Sequence, residues 1–326
     1  MALRPVPWAI GNGAENSVEL ARADAFVGSS GGTGIIDPTD LKVVALPTPG
    51  AAVRVRLGTG VIRNTYPGAF GQSYVVQEQS HEDVPVAATG SSGGATKYVY
   101  VLIEDTQYGG QTPPSVEDGP YNSYQVSTTL PQNQPHLLLA KITQPASTAT
   151  ITNSMITDMR EIANPASTTV NRSKPLNLDG VETLTSTTTG ERFPNQGGRQ
   201  DIFIPAWANR VIIEAEWLMI NEPPGNAYGG CWVEWGPLKP GTTTEREYAT
   251  QHYRWNTNAG ADASRSIWKI TDDMFVPSSM RGTEQIFSMR ARLTHYENAA
   301  ARPQMDQHSG IIFKATFLQV PDRSTS

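Results

Sequence analysis

The chain has 326 residues, enough for two domains that each bury a core. Hydrophobic residues make up 38% and charged residues 17%, with Gly, Pro, Thr, Ser, Asn and Gln filling the difference; this is a composition of strands and turns, which argues against a helical bundle. A net charge of −6 without a Lys/Arg stripe argues against a nucleic-acid-binding surface, and a single cysteine, Cys231, excludes an intrachain disulfide framework and any Cys-based zinc site.

Residues 1–13 read as irregular, with no apolar run of signal-peptide length. No window approaches a membrane helix, so synthesis in a reducing cytoplasm is expected, without membrane insertion. Asn16 and Ser17 can cap a helix over 18–27, with Leu20, Ala23 and Val27 on one face and Gly28 to Gly32 stopping it. The period then changes to two, predicting strands over 41–46, 52–57, 72–79, 97–104, 124–129 and 136–142. The nearly unbroken apolar run at 97–103 suits a central strand. Thr152 or Asn153 is expected to cap a second short helix, with Met155, Met159 and Ile162 along one side and Asn164-Pro165 ending it.

Residues 166–200 are polar and Thr-rich and read as a linker or extended arm between a domain at 1–165 and another at 201–326. Strands resume over 201–204, 210–220, 230–235, 264–270, 285–295 and 310–320, separated by Pro, Gly and Asn. The fold expected is mainly β: an N-terminal β-rich domain with two short helices, a linker, and a C-terminal jelly-roll-like β-sandwich. The last strand ends near the C-terminus, as in a domain tied off by its final strand. Cys231, in Gly-Gly-Cys-Trp-Val, is expected to be a buried small hydrophobe.

The order of motifs carries a resemblance. Asp-Pro-Thr-Asp-Leu-Lys-Val (37–43), Ala-Thr-Gly-Ser-Ser-Gly-Gly (88–94), Glu-Asp-Thr-Gln-Tyr (104–108), Val-Glu-Asp-Gly-Pro-Tyr (116–121) and Ile-Thr-Asp-Met-Arg (156–160) resemble minor tail proteins of long-tailed phages that infect actinobacteria. Ile-Pro-Ala-Trp-Ala (204–208) is similar to tail-tip and fibre domains of such phages. The resemblance implies a virion protein at the tail tip, often a homotrimer; the N-terminal domain is then expected to dock on other phage tail-tip proteins and the C-terminal domain to meet host cell-wall polysaccharide.

No catalytic or metal motif and no cofactor site is legible. None of His81, His136, His252, His295 and His308 lies three or four residues from another, and the Gly-rich runs lack a phosphate-loop ending. His81-Glu82-Asp83 reads as a solvated turn, and the paired acids at 104–105, 117–118 and 272–273 lack calcium-loop spacing. Glu214, Glu216 and Glu234 are the carboxylates a polysaccharide hydrolase would need, with Glu214 and Glu216 on one strand face.

Six of the seven tryptophans lie between Trp207 and Trp268. Trp217 and Trp268 fall in apolar strands and are expected in the core. Tyr228, Tyr253 and Trp255, with Asn226 and Asn256, fall in Gly/Asn/Pro-rich segments read as loops and are the candidate glycan contacts, since aromatic faces stack on sugar rings. A structural baseplate or fibre-connecting protein is the alternative, and a wall-polysaccharide hydrolase the third.

Overall fold

The computed structural model describes residues 18–115, 119–175, 180–260 and 262–323. The Asn16-Ser17 cap and the Glu117-Asp118 pair lie outside these. The protein is mainly β and divides into two compact units, residues 1–165 with 320–326 and residues 166–319.

Unit 1 opens with α1 (Val18–Gly28), followed by β1 (Gly34–Ile35), β2 (Val43–Ala45), β3 (Ala52–Arg63) and β4 (Ser73–Pro85). β3 is the centre of this sheet, with β4 on one side and β1 and β2 on the other. The second sheet is β5 (Ala95–Ile103), β6 (Asn122–Ser127), β7 (His136–Gln144) and β8 (Ile156–Asp158), in the order β6–β5–β7–β8. The apolar run at 97–103 is central, as its composition requires. Period-two alternation turns Val53, Val55 and Ile62 towards Val99, Val101, Leu137 and Leu139, and these close the core between the sheets.

α1 is held by a polar anchor. Val27 and Val18 are exposed, while the Arg22 guanidinium pairs with Asp105 at 2.9 Å and lies over the Tyr74 ring. The Gly-rich run after it is a close backbone pass: a Cβ on Gly32 would sit 1.9 Å from the Ala163 carbonyl oxygen, and one on Gly34 2.3 Å from that of Glu161.

The expected second helix does not form. Asn153–Met155 makes one 3-10 turn, and Ile156–Asp158 then pairs with β7. The open β7 edge and the β-branched pair Ile156-Thr157 favour a ladder there, and the Asn153 side chain is already committed to accepting from Ala45 N at 2.7 Å.

The proposed linker is also corrected. It contributes β9 (Ser167–Pro175), β10 (Glu182–Thr183), β11 (Glu191–Arg192) and β12 (Arg199–Phe203) to unit 2. β9 pairs along its whole length with the last strand, and Leu184, Phe193 and Ile202 enter the core. β9 is an edge strand exposed on nearly every residue, so its Ser, Thr, Asn and Lys composition reads as a linker when taken alone.

The remaining strands are β13 (Arg210–Glu222), β14 (Gly225–Leu238), β15 (Arg246–Ala249), β16 (Tyr253–Ala259), β17 (Ser264–Phe275), β18 (Glu284–Tyr296), β19 (Gln304–Met305) and β20 (Gly310–Leu318). One sheet runs β9–β20–β13–β17, extended at one end by β10 and β19. The other runs β11/β12–β18–β14–β15/β16. Taking β11/β12 and β15/β16 as single positions, the eight strands lie in the orders 1–8–3–6 and 2–7–4–5, which is jelly-roll topology.

The C-terminus does not tie off the jelly roll. Residues 320–323 return to unit 1, where the fully buried Arg160 pairs with Asp158 at 2.7 Å and donates to the carbonyls of Pro38, Asp40 and Asp322. The jelly roll is therefore an insertion in the sequence of unit 1.

Candidate functional site

The five candidate glycan residues lie on strands, not in loops. β14 and β16 pair antiparallel, placing Tyr228 opposite Asn256, Gly229 opposite Trp255 and Cys231 opposite Tyr253. Alternation then splits the set. Tyr228 and Asn256 face outwards, and Tyr228 is 37% exposed. Asn226 is half-buried, with its Oδ1 shut off from solvent.

Trp255 faces inwards and is only 5% exposed, stacked on Trp268 at 4.4 Å and 8°. Its ring also packs on Gly229, where an added Cβ would come within 2.5 Å of it. With its faces occupied it is core, and it is not a sugar platform. Trp217, Trp235 and Trp268 are buried in the same core, so most of the tryptophan concentration builds the sandwich interior, while Trp232 is buried on the opposite face of β14. Cys231 is buried, and the lost solvation pushes its thiol up to about 12.

The outer face of β16, β14 and β18 carries an arrangement that the linear sequence hides. Its rungs cross three strands: Asn256–Tyr228–His295, then Arg254–Gly230–Arg292, then Trp232 beside Arg290. The Tyr228 and His295 rings stack at 5.3 Å, and the His252 imidazole lies flat on Trp232 at 4.1 Å and 11°. Between these two stacks Gly230 has no side chain. The result is a trough of about 100 Å³ lined by Gly229, Gly230, His252, Tyr253, Arg254, Arg292 and Thr294. A β-bulge, where Tyr228 faces His295 but Gly229 faces Leu293, leaves Thr294 unpaired at its rim.

Beside the trough, on the same face, buried side chains form a hydrogen-bonded network. Trp232 Nε1 donates to Glu234 Oε1 at 2.8 Å, Glu234 accepts from Arg246 N, and Arg290 pairs with Glu234 while donating to the Thr244 and Gly190 carbonyls. Arg292 donates to the Thr188 carbonyl at 3.2 Å, whereas the Arg254 guanidinium has no hydrogen-bond or ion-pair partner among the described residues. Partial burial, and then the Arg292 charge, hold the His252 pKa below its ordinary value, which favours the neutral imidazole.

Tyr253 faces a second cleft, of about 340 Å³, at the open side of the sandwich between β16 and β17. Its hydroxyl donates to the Thr271 carbonyl. Glu222, 8% exposed, lines this cleft and accepts from the hydroxyls of Ser264 and Ser266. Trp255 Nε1 is buried there without a hydrogen-bond partner among the described residues.

The carboxylates a hydrolase would use are engaged elsewhere. Glu214 pairs with Lys314 at 2.8 Å and Glu216 with Lys269 at 2.6 Å on the wet face of β13, and Glu234 is locked as described. His81-Glu82-Asp83 lies within β4 instead of a turn, with Asp83 forked onto Arg54. Among the described residues no group of three or more His, Cys, Asp or Glu side chains could hold a metal ion.

Arg254, Arg292 and Gly230 belong to no motif of the linear sequence, and His252 stands there only as one of five isolated histidines. The signal was Gly229-Gly230 inside a strand pattern, which marks close backbone approach or an open surface.

No protein-family model matches the chain, and no curated protein matches it. Among solved structures, the infectious bursal disease virus Gx strain aligns at 11% identity over 90% of this chain and 72% of that one, with a TM-score of 0.22. The VP2 subviral particle of the same virus aligns at 9% identity over 90% and 68%, with a TM-score of 0.28. The tandem CBM22 domains of Paenibacillus barcinonensis Xyn10C align at 11% over 90% and 97%, with a TM-score of 0.23. Superpositions this loose bear no functional conclusion.

Proposed function

We propose that the chain is a non-enzymatic virion protein of a phage tail tip, which assembles with other tail proteins through unit 1 and attaches to host cell-wall polysaccharide through its jelly roll. The virion role is supported by the resemblance of the 37–160 motifs to minor tail proteins of actinobacterial phages. The attachment role is supported by one observation above all: the recessed trough at Gly230, walled by ring stacks and arginines on an otherwise regular sheet face. Planar rings and polar forks around a groove suit a sugar chain. Attachment works by avidity, several weak sites acting together in a homotrimer.

Purified full-length protein should sediment with actinobacterial host cells and with their isolated wall polysaccharide, and should block infection in competition. Antibody against it should mark the tail tip. Tip labelling with no wall binding would move the assignment to a structural connector, and a monomer mass by light scattering would remove the trimer.

A further inference from the structure

We infer that the Gly230 trough selects a saccharide bearing a compact oxyanion, a carboxylate or phosphate group, and that Arg254 and Arg292 are its specificity-determining pair; this rests on the attachment role proposed above. The two arginines occupy one rung on either side of a residue without a side chain, so their backbones stand about 9–10 Å apart, two strand spacings. That separation leaves room for one small anion between two guanidinium forks, which match carboxylate and phosphate oxygens in shape.

No acidic side chain lines the trough, although the chain as a whole carries −6. Glu234, the carboxylate whose charge reaches His252, is buried and already paired with Arg290. Arg292 spends one donor on the Thr188 carbonyl, which aims it, while Arg254 spends none within the described residues. An exposed guanidinium without a partner, facing a second across a glycine, is a like-charge arrangement that an anion between them relieves.

Tyr228 on His295 supplies a flat wall at one end and His252 on Trp232 supplies another, so the ring bearing the anion has surfaces to lie against. Thr294, displaced by the bulge, adds a hydroxyl at the rim.

The test is calorimetric titration of full-length protein with tri-galacturonate, with neutral galactotriose and with glucose 6-phosphate. The anionic probes should bind at least about tenfold more tightly than the neutral one, the two anionic arms reporting whether carboxylate or phosphate is preferred. That preference should shrink as salt rises from about 0.05 to about 0.5 M. Two variants locate it. Arg254→Gln removes an unpartnered charge from an exposed position, and Gly230→Ala fills the trough, where the new Cβ would meet only the Tyr253 carbonyl oxygen at 3.4 Å. Both should keep the wild-type melting temperature and lose the anionic preference.

Equal binding of charged and neutral probes, or an anionic preference untouched by both variants, would overturn the inference. Host-cell binding measured in parallel separates the two claims. If cells bind wild type and Arg254→Gln alike, attachment stands and the trough is not its site. If cells bind neither while the anionic preference holds, the trough stands and wall attachment falls.

Discussion

Gly229 and Gly230 are neighbours on one strand, yet a side chain would meet different surroundings at each. A Cβ on Gly229 would lie 1.9 Å from the Arg292 carbonyl oxygen and 2.5 Å from the Trp255 ring, so Gly229→Ala forces apart β18 and the tryptophan stack. The expected cost is about 1–3 kcal/mol or more, read as a lower urea midpoint. Gly230→Ala should hold or slightly raise the midpoint, because the position is open and alanine narrows the unfolded ensemble. Cys231 gives a pH test. Burial raises its thiol to about 12, so the neutral form is favoured in the folded state, while the unfolded thiol ionises near ~8.5. This contribution is intact below ~8.5 and is lost as pH rises towards 12, at up to about 1.4 kcal/mol per pH unit. Tyr74 and Tyr124, also raised by burial, add to the decline in the same direction. Cys231→Ala should therefore show a shallower alkaline loss of stability than wild type in denaturant titrations at pH ~8 and ~10; equal slopes would mean that the thiol ionises within the fold.

Among elements, the largest departures from the sequence reading share one cause. Residues 153–158 have a helix cap and a helical spacing of Met and Ile, but the unpaired edge of β7 offers a ladder and the segment becomes a turn and a strand. Residues 167–175 are as polar as a linker, and become a strand because β20 needs a neighbour along its length. Arg160 shows the same dependence on distant chain. Its guanidinium is used by Asp158 beside it and by carbonyls at 38, 40 and 322, a set that no local pattern announces. Arg160→Ala leaves Asp158 and three carbonyls without their donor, and should cost about 3–5 kcal/mol. It should also release the C-terminal segment, seen as faster carboxypeptidase trimming of residues 320–326. Unchanged trimming would show that Arg323, paired with Glu161 at 3.0 Å, suffices to hold the tail.

For the whole molecule, the insertion of the jelly roll between the two pieces of unit 1 carries its own expectation. The chain leaves unit 1 at 165 and re-enters at 320, and the backbone of Gln319 donates to that of Ala166 at 3.0 Å. An inserted domain with adjacent ends can be removed with little cost to its host. Replacing residues 167–318 by about four Gly/Ser residues should leave a unit 1 that unfolds cooperatively in circular dichroism. A molten or aggregated product would show that unit 1 requires the jelly roll to fold.

Some of this was determined by the amino-acid order alone. The β-rich class, α1, the central strand at 97–103, the burial of Cys231, Trp217 and Trp268, and a jelly-roll-like second domain follow from period, turn residues and side-chain size, which act over a few neighbours. Other features were decided only by tertiary structure. Trp255 became core because β14 and β17 close over it, and residues 167–175, 182–183 and 191–192 became strands because β20, β19 and β18 pair with them. The trough likewise exists only where β14 brings Arg254 and Arg292 to either side of Gly230. Strand pairing joins residues distant in the chain through backbone hydrogen bonds that carry no local signature. The face a side chain occupies in a sandwich, and what stands beside it, is therefore set by partners that a linear reading does not contain.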